Sequence, residues 1–130
     1  MQVEASSILG QNWLEFVPDV AGNIIETLKQ KDADYGGSWQ SRGGIGAFMM
    51  MCRKWDRIEN MAKENPEKYD IFDLLNKNTG DVMDDVDDLI GYLLLIRGHH
   101  NMRQEIQRLV DSADHKSSID NAVLLDHATN

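Results

Sequence analysis

"DVMDDVDDLIGYLLL", residues 81–95, decides how this chain is read. Five aspartates, Asp81, Asp84, Asp85, Asp87 and Asp88, run straight into an apolar stretch. The apolar residues do not alternate but recur at helical spacing, which predicts an amphipathic helix. On that helix Asp81, Asp85, Asp88 and Tyr92 form one line, flanked by Leu89 and Ile96. Val82, Val86 and Leu93 lie toward the core, and Asp84 and Asp87 point further round, toward solvent. Acids at a helix start suit the macrodipole, which accounts for Asp81 and Asp84. Asp85 and Asp88 lie deeper, on the edge of a core-facing stripe.

Working outward, no segment reads as a strand. A first helix is predicted over 11–33 and restarts at Pro18, with Val20, Ile24, Ile25 and Leu28 at helical spacing. The loop 35–44 is six-tenths Gly and Ser and breaks it. A second helix is predicted over 44–64, stopping before Pro66, then a turn, "NPEKYD" at 65–70, and one or two helical turns at 71–78. The third helix starts at 79, capped by Asn78 or Thr79, and continues to about 97. Gly98 ends or weakens it, and a fourth follows at 100–113. Residues 114–130 read as a tail whose "AVLL" (122–125) docks onto a neighbour. The expected fold is therefore all-α: a four- to five-helix bundle in one domain, 1–113, with its excess apolar surface covered by oligomerisation.

Composition narrows the function. The 130 residues carry a net charge of −9, which argues against a nucleic-acid or anionic-membrane partner. One cysteine, Cys52, permits no internal disulfide and fits a reducing cytoplasm. The N-terminal residues lack the pattern of a signal peptide, and the longest apolar run, "YLLLI" at 92–96, is too short to span a bilayer.

On the second helix Ile45, Phe48, Met49, Cys52 and Trp55 form the predicted buried stripe, which continues into Asp56 and Glu59. Both long helices thus offer an acid pair at i, i+3 aligned with an apolar seam. Four such carboxylates suit Mg²⁺ or Mn²⁺, whose preferred ligands are hard oxygens. Zinc is not expected, because no Cys/His set has suitable spacing. A carboxylate cage with water positions suits phosphoryl or pyrophosphoryl chemistry. The alternative is solvated helix surface, where such pairs are common.

"DDVDDLIGYLLL" (84–95) resembles the E-E-x-x-D-x-x-x-Y-L-L block of the MazG-like, all-α nucleoside triphosphate pyrophosphatases, with Asp85 and Asp88 at its E-x-x-D half. "DRIE" (56–59) stands where that family has E-x-x-E, and the match spans about 20–97. Residues 31–60 look like the phage and bacterial branch associated with nucleotide modification, and specifically its MazZ-like members. Asp replaces Glu at 56 and 85, shortening the reach by one methylene each.

The resemblance implies hydrolysis of a (d)NTP, with (d)GTP as one substrate, to the monophosphate and pyrophosphate. Asp56, Glu59, Asp85 and Asp88 would hold two or three Mg²⁺ ions, with Mn²⁺ able to substitute, and Glu59 would act as general base. It implies dimers or tetramers, and a phage protein would work in the bacterial host's cytoplasm.

Several other residues are candidates for substrate binding. Lys54 and Arg57 neighbour the Asp56/Glu59 pair but point elsewhere on the helix, and Lys54 reaches phosphate or is an exposed helical base. Lys31, Ser38 and Arg42 lie around the glycine loop, within reach of phosphate or of solvent only. Trp39 is a base-stacking candidate, whereas Trp55 packs in the core. Tyr92 binds phosphate or sugar, or sits at the core edge. Met49–Met51 and Cys52 are core residues, and His99 and His100 are helix C-terminal cations rather than metal ligands. Two competing classes remain: a DNA-mimicking acidic protein, and a helical assembly module without catalysis.

Overall fold

The computed structural model describes residues 12–77 and 79–128, and for Thr79 and 126–128 the backbone only. Among these residues every element is helical. A 3-10 turn, Trp13–Phe16, leads into α1 (Val17–Tyr35); α2 is Gly43–Glu64, α3 is Ile71–Lys77 and α4 is Thr79–Ala128. The expected cap at Asn78 or Thr79 lies outside what is described. No described helix is long and apolar enough to cross a membrane.

Local chemistry explains the boundaries. Asn12 accepts a hydrogen bond from the Leu14 amide and caps the 3-10 turn, and Pro18 occupies the first turn of α1, where its missing N–H costs nothing. Gly36, at φ 57°, ends α1 by donating its N–H to the Asp32 carbonyl, a left-handed position that suits glycine. Asp70 caps α3, its Oδ1 accepting from the Phe72 and Asp73 amides at 3.1 Å. Asn65 pins the turn between α2 and α3. It is buried, and its Nδ2 donates to the Glu67 carbonyl at 2.7 Å and to Asp73 at 2.8 Å.

The chain divides into two compact units, Met1–Tyr92 and Leu93–Asn130. In the first, Ala62, Leu74 and Val82 form a buried cluster, with Met61, Leu75 and Val86 packed on it. Ile24 of α1 is buried, and Leu28 lies against Gly91 of α4. The second unit consists of α4 from Leu93 onward.

Three expectations are corrected. The packed stripe of α2 is Ala47, Met51, Lys54, Ile58 and Ala62, roughly 120° from the predicted one. Small alanines permit close helix approach, so the bulkier stripe is left outside. Ile45 is 83% exposed, and Phe48, Met49 and Trp55 are exposed with it. Asp56 and Glu59 share that outer face. Secondly, α4 runs through Gly98, the weakening rather than the ending of the two alternatives there, and on through 114–128, where a tail was expected. A glycine inside a helix costs about 1 kcal/mol relative to Ala, but it keeps its N–H, and both prolines, Pro18 and Pro66, precede α4. His99 and His100 therefore sit within a helix rather than at its end. Thirdly, Leu93 is exposed rather than core-facing.

Candidate functional site

The site grows from one close helix contact. A Cβ on Gly91 would come 3.2 Å from Leu28 Cδ2, so this glycine lets α1 approach α4 closely. One turn further along α1 from Leu28 is Lys31, and one turn back along α4 from Gly91 is Asp88. Their side chains meet, with Lys31 Nζ 3.2 Å from Asp88 Oδ1. The two helices therefore run antiparallel here.

α2 supplies a matching pair. Lys54 Nζ lies 2.9 Å from Asp88 Oδ2 and 3.7 Å from Asp85 Oδ1, and Arg57 Nε lies 3.3 Å from Asp85 Oδ2. Lys54 and Arg57 are three residues apart on α2, as Asp85 and Asp88 are on α4. Antiparallel packing sets the two pairs face to face. Lys54 and Arg57 thus point away from Asp56 and Glu59, as expected, and at the α4 carboxylates.

Asp85 is 1% exposed. Taking a carboxylate out of water costs several kcal/mol unless cations and donors compensate. Lys54 and Arg57 supply the charge, but Asp85 Oδ2 accepts no hydrogen bond despite its burial. Lys54 is held above the ordinary lysine range, chiefly by its hydrogen bond to Asp88, with the charges of Asp88, Asp85 and Tyr92 adding and burial opposing. For Asp88 burial pushes the pKa up, but the hydrogen bonds from Lys54 and Lys31 and their charges outweigh it, and the net shift is down. Asp87, expected to be solvated, is half-buried; burial and then the charges of Asp84 and Asp88 raise its pKa.

The sequence-derived site residues separate into groups. Lys31, Lys54, Asp85 and Asp88 come together, joined by Arg57. Tyr92, one turn beyond Asp88, is half-buried. Ser38, Trp39 and Arg42 lie between α1 and α2, where the Ser38 carbonyl accepts from Ser41 Oγ at 2.8 Å. Ser38 and Arg42 are exposed, and Trp39 is half-buried.

Asp56 and Glu59 are exposed. Among the described residues, no three His, Cys, Asp or Glu side chains are gathered as a metal site. The hard oxygens of Asp85 and Asp88, one lacking a donor, fit a hard divalent cation, but the single chain does not add the other two carboxylates to them. Comparison with protein-family models, curated proteins and solved structures found no match to this chain.

Proposed function

We propose that the chain is a divalent-metal-dependent nucleoside triphosphate pyrophosphohydrolase, converting a (d)NTP to its monophosphate and pyrophosphate. The observation that carries the reading is Asp85, a buried carboxylate with one oxygen lacking a hydrogen-bond donor, bordered by Lys54 and Arg57 and one turn from Asp88, which Lys31 borders. Buried, under-satisfied acids cluster at functional sites because packing alone does not favour them. The resemblance of 56–59 and 84–95 to the MazG-like block supports the same reading, and its phage branch suggests guanine as the base.

In this reading Asp85 and Asp88 would hold Mg²⁺ or Mn²⁺; the resemblance assigns Asp56 and Glu59 to the same set, although within one chain they lie on the outer face of α2. When bound, the metal supplies a water of lowered pKa and neutralises phosphate charge. Lys54, Lys31 and Arg57, released from the carboxylates, bind phosphate oxygens of the substrate. Glu59 accepts the proton of the water that attacks the α-phosphorus, and the bond to the β-phosphate oxygen breaks as pyrophosphate leaves. Ser38, Trp39, Arg42 and Tyr92 are the remaining candidates for substrate contact.

A second reading is favoured by one observation. Lys54, Lys31 and Arg57 already neutralise Asp85 and Asp88 within the chain, as they would in a non-catalytic helical assembly module.

A hydrolysis panel separates the two. Each common dNTP and NTP is incubated with the protein and Mg²⁺ or Mn²⁺, and the products are resolved. Monophosphate plus pyrophosphate, lost in Asp85→Asn with helicity retained, is expected. Full turnover in Asp85→Asn would remove the metal assignment. Absence of turnover and of metal binding in the unaltered protein would leave the assembly module.

A further inference from the structure

Beyond Tyr92, α4 carries a second unexplained pattern. At ~100° per residue, Leu95, Met102, Ile106, Leu109, Val110 and Ala113 fall on one stripe of the helix. Met102, Ile106, Leu109 and Val110 are each about half exposed. Between 97 and 118 polar residues fill the opposite side, where Arg108 pairs with Glu105 and Gln107 donates to Asp111. Such local pairs add only a little to a helix, and long helices in water owe most of their stability to whatever packs on the apolar stripe.

We propose that a second copy of this chain covers the stripe, with the two α4 segments running antiparallel. Charge along the helix selects both the partner and its direction. Residues 93–108 carry Arg97, Arg103 and Arg108 against Glu105, and residues 109–125 carry Asp111, Asp114 and Asp120 against Lys116. The first half is basic and the second acidic. A parallel pair sets like on like, whereas an antiparallel pair sets each basic half on an acidic one.

The apolar layers agree with that direction. Setting Ile106 opposite Leu109 of the partner subunit also sets Met102 opposite Ala113 of the partner subunit, a large residue against a small one. Arg103 then borders Asp114 of the partner subunit on the edge of the seam, twice over by symmetry. This self-association is independent of the pyrophosphohydrolase reading.

The test uses the full chain in two ways. In sedimentation equilibrium, Arg103→Glu or Asp114→Arg is expected to weaken the dimer about tenfold, since symmetry removes the contact twice. The double variant R103E/D114R is expected to restore it. None of these substitutions touches the apolar stripe, and circular dichroism checks that helix content holds. In a Cys52→Ser background, chains with Met102→Cys are mixed with chains carrying Ala113→Cys and oxidised. A disulfide is expected in the mixture and in neither chain alone.

Self-crosslinking of the Met102→Cys chain would mean parallel pairing and overturn the proposal. A monomeric chain would overturn it by assigning the stripe to another occupant. A dimer indifferent to both charge reversals and without the mixed disulfide is held elsewhere, which also overturns it.

Discussion

Lys54 and Asp88 meet at 2.9 Å, where α2 crosses the acidic start of α4, and the same ammonium lies 3.7 Å from Asp85. One cation thus serves two carboxylates, one of them almost wholly buried. Lys54→Met should destabilise the protein by about 1–3 kcal/mol, because it leaves buried negative charge under-compensated. Asp88→Asn in the same chain should recover part of that loss. Urea denaturation of the four species gives the coupling, expected at ~0.5–3 kcal/mol. Additive losses would mean that the pair is not coupled.

Two neighbouring aspartates should respond to acid in opposite senses. Asp88 has its folded pKa lowered, so its contribution is complete above the usual aspartate value and disappears as pH falls through the folded value below it. Asp87 has its folded pKa raised, so the folded state holds that proton more tightly and loses stability as pH rises from the usual value through the folded one. At neutral pH, Asp87→Asn should therefore stabilise, by a few tenths of a kcal/mol after solvent screening, while Asp88→Asn destabilises. Thermal midpoints measured from acid to neutral pH check both signs.

Gly91→Val should separate α1 from α4. The glycine's Cβ position is already 3.2 Å from Leu28, and a branched side chain needs more room than that. The expected cost is about 1–3 kcal/mol, together with loss of the Lys31–Asp88 contact one turn away. The lysine Nζ shift in a selectively labelled sample reports that contact. An unchanged shift would show that the glycine does not set the spacing.

Asn65→Ala should cost about 1–3 kcal/mol, because two acceptors lose a buried donor. It should also raise the Asp73 pKa toward its usual value, since the Asn65 hydrogen bond is the largest cause holding it down. Carboxylate NMR titration of Asp73 provides the check, and Lys77, the lesser cause, remains as an internal control.

Much of this fold was legible because punctuation carried it. Pro18, Gly36 and Pro66 stand where α1 begins, where it ends and just after α2 ends, each through backbone chemistry that acts within a few residues. The phase of α2 was not legible. Two stripes compete there, and hydrophobicity favours Ile45, Phe48 and Trp55, while close packing favours Ala47 and Ala62. That error propagated to the site. It carried Asp56 and Glu59 onto the core face, whereas Asp85 and Asp88 were readable as an acid pair on an apolar seam; Lys54 and Arg57 were not joined to them. The complementary spacing, three residues on each helix, was the signal that would have joined them. Lys31 to Asp88 spans 57 residues, and no local periodicity carries a contact of that kind.

The cluster of Lys31, Lys54 and Arg57 around Asp85 and Asp88 holds three positive groups against two negative ones, within a chain of net charge −9. An approaching anion therefore meets repulsion at long range and attraction only at contact. Screening weakens the distant field first, because charges separated by more than a Debye length, about 8 Å at physiological ionic strength, are largely shielded. Moderate salt should then speed the arrival of small anions, the reverse of what a uniformly basic cleft produces.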